Sequence, residues 1–289
     1  MRPCAFLTMN DPTGYVMDDQ LAHEPLRALG FEVEAVPWDR PRVDWGRYDV
    51  VVVRSPWDYQ HRLDEFLSVL NQIATSPARL ENELPLLRWN LQKTYLRDLE
   101  ARGVRTIPTL WRDRLGPGDL ERLFGELGCE QVVIKPVVGA GAMGAFCLGR
   151  GTARVRAREV EAYYENRAFL AQPLARSIVD EGEYSLFYFN GMHSHSVIKT
   201  PRMGDFRVQE EHGGVVRPVV VENALHEAGV STLKALGVTP LYARADFVRS
   251  NDGQSFWLIE LELVEPSLYF RMDPEAPERF ARALSARVP

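Results

Sequence analysis

Two neighbouring segments are the most informative part of the sequence: Leu241-Tyr-Ala-Arg-Ala-Asp-Phe-Val248 and, shortly after it, Phe256-Trp-Leu-Ile-Glu-Leu-Glu-Leu-Val264. Both segments are apolar apart from a few charged side chains, and the run Ser-Asn-Asp-Gly at 250–253 separates them. Two apolar runs joined by turn-forming residues are typical of a β-hairpin. We therefore predict two adjacent core strands near this end of the chain.

Four charged side chains interrupt these two strands. Arg244 and Asp246 share one face of the first strand, because side chains alternate between faces along a strand. Glu260 and Glu262 share one face of the second strand for the same reason. Carboxylates among apolar neighbours are costly unless they are paired or bind a metal. We therefore predict a divalent-metal site formed by Asp246, Glu260 and Glu262, with Arg244 as the neighbouring countercharge.

The composition is that of an ordinary globular protein, with 45% hydrophobic and 26% charged residues among 289. The 34 basic and 40 acidic side chains give a net charge of −6 without a long basic run, which argues against nucleic-acid or membrane-surface binding. The three cysteines lack metal-ligand spacing, and no apolar run reaches membrane-spanning length. We expect a cytoplasmic protein with no nucleic-acid or membrane partner.

The first 85 or so residues alternate between predicted strands and helices. Strand character appears at 4–8, 31–36 and 48–54, and the last of these is an apolar run typical of a buried parallel strand. Helices are predicted at 21–29 and 62–74. This pattern predicts a small βαβ lobe, whose ligands should lie at the carboxyl ends of its strands.

One such strand end carries the run Arg-Ser-Pro-Trp-Asp-Tyr at 54–59. Arg54 is a candidate partner for a substrate carboxylate, and Asp18 and Asp19 are candidates for recognising an amine. Trp57 and Tyr59 either line a small pocket or pack between lobes, and the sequence favours neither interpretation. The predicted substrate residues of this run are Arg54, Ser55, Trp57, Asp58 and Tyr59.

A strand that ends in a lysine precedes a glycine-rich loop in Val133-Ile-Lys-Pro-Val-Val-Gly-Ala-Gly-Ala-Met-Gly144. Glycines let backbone amides approach an anion, and Lys135 adds a positive charge suited to phosphate. The spacing of a P-loop is absent. Taken alone, the segment is equally consistent with a hairpin turn and an exposed lysine. The candidate anion-binding residues are Lys135, Gly139, Gly141 and Gly144.

Two weaker signals lie on either side of this loop. Lys93 falls on a predicted helix at 90–102, where a lone lysine is usually solvated. The connector at 169–185 could offer the backbone of residues 172–174 to a purine edge, and Glu183 could accept ribose hydroxyls. An ordinary acidic loop is the alternative for this connector.

A basic, glycine-bearing segment at 199–214 contains Arg202 and Arg207. Two arginines near a metal site suit a clamp for phosphate or carboxylate groups. The interspersed acidic residues of the segment are equally consistent with a solvated loop.

The order of these elements resembles the ATP-grasp superfamily over nearly the whole chain. In bacterial glutathione synthetases, a Pro-containing Arg segment, a Gly-x-x-Arg element and a Gly-Gly pair precede an Asp and then Glu-x-Asn. The counterparts in this chain are Pro201-Arg202, Gly204-Asp-Phe-Arg207, Gly213-Gly214, Asp246 and Glu260-Leu-Glu262. The run at 54–59, Arg88-Trp-Asn-x-x-Lys-x-Tyr-Leu96 and Glu262-x-x-Glu-Pro-Ser-Leu-Tyr269 look more like a narrower branch, which includes the cyclo-ligase that forms D-cycloserine from O-ureido-D-serine.

The resemblance implies an α/β protein with α+β lobes, namely an ATP-grasp fold preceded by a Rossmann-like pre-ATP-grasp lobe. The implied domains are a substrate-side lobe at 1–85, a small lobe with the glycine-rich loop at 86–172 and a metal-binding lobe at 173–289. A homo-oligomer, either dimer or tetramer, is also implied.

The same resemblance implies an ATP- and Mg²⁺-dependent carboxylate–amine ligase for a small amino-acid-like substrate. Its reaction would pass through an acylphosphate and release ADP and phosphate, and it would be either intermolecular or a cyclisation in antibiotic biosynthesis. One or two Mg²⁺ ions, or Mn²⁺ in their place, would bind Asp246, Glu260 and Glu262. The implied nucleotide residues are Lys93, Lys135, Gly139, Gly141, Gly144, Gln172, Pro173, Leu174 and Glu183. The implied catalytic arginines are Arg207 and Arg244, and Arg202 is a candidate substrate residue.

The chain departs from the wider family at one metal position, where Glu262 replaces the common Asn. Glutamate is also an oxygen ligand that suits Mg²⁺, so the site gains a negative charge without losing a ligand. Three alternatives stay open at this point: a nucleotide-binding regulator without turnover, a phosphotransferase with a stable phosphorylated product, and a glutathione-synthetase-like peptide ligase. The sequence does not identify the substrate.

Overall fold

The computed structural model describes residues 1–139 and 143–288, which form three β-sheets with helices packed around them. The first sheet has four parallel strands in the order β2-β1-β3-β4. These strands are β1 (Arg2–Thr8), β2 (Phe31–Pro37), β3 (Val50–Ser55) and β4 (Arg79–Glu81). Every residue of β3 is buried, as the apolar run predicted. The 54–59 run begins at the carboxyl end of β3.

Two α-helices accompany the first sheet, α1 (His23–Ala28) and α2 (Leu63–Thr75). Helix α2 buries Phe66, Leu70 and Ile73, which recur at the three-to-four-residue spacing of one helix face. The predicted βαβ lobe is therefore present, with its helices close to the predicted positions.

A linker of two short helices follows, α3 (Leu84–Asn90) and α4 (Tyr95–Ala101). The sequence predicted one helix over 90–102, but the helix in that range begins only at Tyr95. Asn90 ends α3, and its side chain donates to the Leu261 carbonyl and accepts from the Leu263 amide, both at 2.7 Å. These bonds attach the linker to the C-terminal hairpin, which local sequence could not show.

The second sheet is antiparallel, with strand order β5-β8-β6-β7. Its strands are β5 (Leu110–Arg112), β6 (Gln131–Pro136), β7 (Phe146–Gly149) and β8 (Phe169–Pro173). Helices α5 (Asp119–Leu127) and α6 (Ala153–Tyr164) pack against it. The glycine-rich loop joins β6 to β7.

The third sheet is antiparallel, with strand order β11-β10-β9-β12-β13. Its strands are β9 (Glu183–Phe189), β10 (Met192–Thr200), β11 (Val215–Pro218), β12 (Tyr242–Arg249) and β13 (Phe256–Glu262). The remaining helices are α7 (Ser177–Asp180), α8 (Asn223–Ala235) and α9 (Ala276–Ser285). Strands β12 and β13 form the predicted hairpin.

The first and third sheets share a core and a polar link. Phe280 of α9 packs with Phe6 of β1 and with Phe189 of β9. The Asn82 side chain donates to the carbonyls of Tyr242 and Leu263 at 3.0 and 2.8 Å. No helix among the described residues is long and apolar enough to cross a membrane.

Candidate active site

A cavity of about 550 Å³ receives side chains from the first lobe, the second and third sheets and the linker. The first lobe contributes Trp57 and Tyr59, the second sheet contributes Lys135 and Gln172, and the third contributes the charged face of the β12–β13 hairpin. This volume lies within the usual range for small-molecule sites.

The hairpin register brings the predicted metal residues together. Asp246 pairs with Glu260 across the two strands, and Arg244 pairs with Glu262. One carboxylate oxygen from each of Asp246, Glu260 and Glu262 lies within 4.8 Å of the others. A set of carboxylate oxygens is what hard divalent cations such as Mg²⁺ prefer. We call these three residues the metal-site carboxylates, and their donor set fits a divalent cation.

Cations surround the deepest of these carboxylates, Asp246, which is 1% exposed. Arg244 donates to it from Nε and Nη2 at 2.9 to 3.1 Å, and Lys199 Nζ lies 3.5 Å from Asp246 Oδ1. Burial works to raise the pKa of Asp246, but Arg244 and Lys199 outweigh it and hold the pKa at about 2. Asp246 is therefore ionised without a metal.

The pKa of Glu262 is shifted in the opposite direction from that of Asp246. Burial raises its pKa to about 8, although Arg244 donates to it and works in the opposite direction. Protonated Glu262 must lose its proton before it can serve as a metal ligand.

The two predicted phosphate lysines both line the cavity, but their partners differ. Lys93 Nζ donates to Glu260 Oε1, and the Lys93 amide donates to the Val137 carbonyl at 2.8 Å. Burial works to raise the pKa of Glu260, and Lys93 and Lys135 outweigh it, so this pKa lies below its ordinary value. Lys135 forms no ion pair with any described residue, and burial lowers its pKa. Lys135 could therefore bind an incoming anion without first breaking an ion pair.

Glu183 lies in the cavity wall but already has a partner. Lys199 Nζ donates to Glu183 Oε1 at 2.8 Å, and both side chains are buried. The antiparallel register of β9 and β10 places these two residues opposite each other. Lys199 bridges Glu183 and Asp246, and this bridge depends on cross-strand pairing that the sequence alone does not give.

The predicted adenine segment follows β8 along the cavity wall. Leu174 N–H donates to the Gln131 carbonyl at 3.0 Å, and Pro173 has no N–H. The side-chain amide of Gln172 donates from Nε2 to Thr109 Oγ1 at 2.9 Å. The contact of residues 172–174 with a purine edge therefore stays a prediction, and Pro173 and Leu174 have no free N–H to contribute to it.

The glycine-rich loop borders the same cavity through Gly139 and Met143, whereas Gly141 lies outside the described residues. Gly144 has φ +71°, and a Cβ there would lie 2.2 Å from Tyr163 Oη. Tyr164 Oη donates to the Gly144 carbonyl. Both the positive φ and the close approach to the Tyr163 side chain of α6 therefore favour glycine at 144.

The two arginines of the basic segment are separated by the structure. Arg207 lines the cavity and is held by Asp205, with Nη2 2.8 Å from Oδ2. Arg202 is exposed and does not line the cavity. The structure therefore does not bring Arg202 to the site.

Three residues of the 54–59 run do not line the cavity, which corrects the expectation that they contact substrate. Arg54 is 1% exposed and pairs with Asp19 at 2.9 Å. Ser55 lies 3.0 Å from Thr8 Oγ1, and Asp58 accepts from the Trp38 indole at 2.7 Å. Asp18, a candidate for recognising an amine, pairs with Arg271 at 2.6 Å.

Trp57 and Tyr59 line the cavity and also join the lobes, so both interpretations of this pair hold. The Trp57 indole donates to the Glu265 carbonyl, and Tyr59 Oη donates to Glu265 Oε1, each at 2.8 Å. Glu265 itself lines the cavity, and burial raises its pKa to about 7. Sequence reasoning gave Glu265 no role, although its place in the motif after Glu262 was a signal.

Comparisons with known proteins now identify the family. Residues 4–82 match a family described as the N-terminal domain of the D-cycloserine synthetase DcsG. The cycloserine biosynthesis protein DcsG of Streptomyces lavendulae is 32% identical over 295 aligned positions, covering 96% of this chain and 95% of that protein. The chain belongs to the DcsG family. The crystal structure of D-cycloserine synthetase DcsG superposes with a TM-score of 0.85 at 30% identity, covering 99% of this chain and all of the other.

Other solved structures extend the likeness to ATP-grasp ligases. The ligase PsnB, solved with a minimal precursor, Mg and ADP, has a TM-score of 0.66 at 15% identity and covers 99% of this chain and 98% of its own. The D-alanine–D-alanine ligase of Bacillus anthracis has a TM-score of 0.67 at 12% identity, covering 100% and 98%. This DcsG-family chain has the ATP-grasp fold and is an ATP-dependent ligase.

Proposed function

We propose that this chain is an ADP-forming cyclo-ligase that joins a carboxylate and a nitrogen of one amino-acid-like molecule into a cycloserine-like ring. The observation that carries the proposal is the convergence, in one cavity, of Lys93 and Lys135, the metal-site carboxylates and a separate wall of aromatic side chains. The match to DcsG over nearly the full length of both proteins supports a substrate like O-ureido-D-serine.

The nucleotide would occupy the side of the cavity between the second and third sheets. Lys93 and Lys135 would contact its phosphates, with Gly139 and Gly144 at the ends of the loop beside them. The carbonyls of residues 172–174 and the Glu183 carboxylate would face the base and ribose.

Asp246, Glu260 and Glu262 would hold one or two Mg²⁺ ions, or Mn²⁺. A divalent ion there supplies positive charge to the phosphate oxygens during transfer. Lys93 would exchange its bond to Glu260 for a bond to phosphate when the cation arrives.

The chemistry divides a difficult substitution into two steps. The substrate carboxylate attacks the γ-phosphorus and ADP leaves, which turns a poor leaving group into phosphate. The nitrogen bound to oxygen then attacks the acyl carbon, loses its proton and expels phosphate, which leaves the carbamoyl group of O-ureido-D-serine on the ring nitrogen. Once the ring has closed, water hydrolyses that carbamoyl group to CO₂ and ammonia, and the cycloserine-like ring remains. Arg207 and Arg244 would offset charge on the transferring group, and closure of the cavity would exclude water.

The test is to incubate the protein with ATP, MgCl₂ and O-ureido-D-serine. We expect ADP and phosphate in equal amounts and a cyclised product by mass spectrometry. Release of AMP and pyrophosphate would contradict the phosphoryl mechanism. Glu260→Gln should lower turnover by roughly 10³-fold or more, because it removes one charged metal ligand. Glu126→Gln, a surface carboxylate paired with Arg112, is the matched control and should retain full activity.

A further inference from the structure

Three side chains of the 54–59 run form hydrogen bonds with residues 265 and 266 of the C-terminal lobe. Arg54 Nη2 donates to the Pro266 carbonyl at 3.0 Å, and Trp57 donates to the Glu265 carbonyl at 2.8 Å. Tyr59 completes the set through the Glu265 carboxylate at 2.8 Å. The Tyr59 ring is itself fixed by stacking on Phe66, with centroids 4.4 Å apart. Backbone and side chain of Glu265 are thus both held in place.

The Glu265 carboxylate differs from its neighbours in lacking a cation. Every other carboxylate that lines the cavity without being exposed forms an ion pair with a described residue. The pairs are Glu183–Lys199, Glu210–Arg271, Asp246–Arg244, Glu260–Lys93 and Glu262–Arg244. Glu265 forms no ion pair within residues 1–139 and 143–288, and its one side-chain donor is the neutral Tyr59 phenol. A charge removed from water without a partner is unfavourable until a partner arrives.

Aromatic rings line the same cavity as this carboxylate, three of them from the first lobe and one from the C-terminal lobe. Tyr15, Trp57, Tyr59 and Tyr269 line the cavity together with Glu265, and we call these four residues the aromatic wall. Tyr15 packs on Trp57 with ring centroids 5.3 Å apart. Aromatic faces attract cations, so both the charge and the surroundings of Glu265 favour an ammonium group.

We propose that Glu265 binds the primary ammonium group of the amino-acid-like substrate, and that Arg54, Trp57 and Tyr59 act as positioning residues that aim it. This rests on the proposed function, because it names the part of that substrate which the aromatic wall recognises. Under this proposal the 54–59 run positions Glu265, which is a role beyond direct contact with the substrate. The raised pKa of Glu265 agrees with a carboxyl that lacks its cation.

The test compares a substrate with its deaminated counterpart in two proteins. Wild type and Glu265→Gln are assayed with O-ureido-D-serine and with 3-(ureidooxy)propanoate, which lacks only the amine. Glutamine keeps the size and an acceptor oxygen for Tyr59 but removes the charge. We expect the preference of wild type for the amine, expressed as a ratio of kcat/KM values, to fall roughly 10- to 100-fold in the variant. The KM for ATP should stay unchanged.

Two further variants separate recognition from a general charge effect. Glu211→Gln removes an exposed carboxylate at the rim of the same cavity and should leave the ratio unchanged. Tyr59→Phe should lower the ratio by a smaller factor, because the carboxylate stays but loses its donor. An equal ratio in wild type and Glu265→Gln would overturn the proposal. A shifted Mg²⁺ dependence with an intact ratio would also overturn it, since Glu265 would then be a metal ligand.

A binding measurement distinguishes failure of this inference from failure of the proposed function. If wild type does not turn over O-ureido-D-serine, that function is wrong, and calorimetry with D-serine and 3-hydroxypropanoate in the presence of ADP and Mg²⁺ still tests Glu265. A preference for D-serine that Glu265→Gln removes would support an amine-bearing substrate of another skeleton. The absence of any preference, including no binding of either compound at millimolar concentration, would overturn the role of Glu265.

Discussion

The metal-site carboxylates and Glu265 line one cavity, but they have opposite kinds of partner. Asp246 is surrounded by Arg244, Lys199 and Ser185, and its pKa is held at about 2. Glu265 is held by Tyr59 alone, and burial raises its pKa to about 7. The metal-site carboxylates have cationic side chains beside them, which orient the acidic groups before metal and nucleotide bind. Glu265 has no such cation, and a ligand would supply one.

The largest expected effect comes from removing the same charge in each region. Asp246→Asn should lower the free energy of unfolding by about 3 kcal/mol, because a buried ion pair that loses one partner leaves the other uncompensated. This is near the low end for such pairs, since Arg244 keeps Glu262 and Lys199 keeps Glu183. Glu265→Gln should not lower the free energy of unfolding at neutral pH, because no buried cation loses its partner.

Urea denaturation of the metal-free proteins measures both variants on the same scale. Equal destabilisation by the two substitutions would contradict the difference between the regions. Loss of activity alone would not distinguish them, because both residues line the cavity.

The pH dependence of stability sharpens the same contrast. The ordinary pKa of a Glu carboxyl is 4.5, and that of folded Glu265 is about 7, so between these values the folded state keeps a proton that the unfolded state releases. The contribution of Glu265 to stability therefore falls as pH rises through this window. Glutamine cannot titrate, so Glu265→Gln should gain stability relative to wild type by up to about 3 kcal/mol between about pH 4.5 and about pH 7.

The comparison must be a difference between the two proteins, because His195 acts in the opposite direction. Burial lowers the pKa of His195 to about 4, so its contribution to stability is lost as pH falls below 6.5. This contribution is common to wild type and variant and cancels in the difference. A difference that is flat with pH would show that Glu265 is solvated rather than uncompensated.

The features that the sequence could predict are those whose interacting residues lie close together along the chain. The β12–β13 hairpin and its four charges depend on alternation and one turn, so the grouping of Asp246, Glu260 and Glu262 was predictable. The short linker helices were not, because Asn90 is recruited by β13 some 170 residues later. Arg54 looked like a substrate ligand for the same reason: its partners Asp19 and Pro266 are distant in sequence. Glu265 could be recognised only once the cations of its neighbours were assigned.

The smallest expected effect concerns the phenol that holds Glu265. Tyr59→Phe should cost about 1 kcal/mol of stability above pH 7, because it removes one hydrogen bond to a carboxylate while the ring keeps its stacking on Phe66. Tyr188→Phe is a matched control, since the Tyr188 hydroxyl is buried and has no hydrogen-bond partner among the described residues. Removing that hydroxyl should be neutral or stabilising, because an unsatisfied buried polar group is lost. Thermal unfolding of both variants measures the difference, and equal effects would mean that the Tyr59 bond does not orient Glu265.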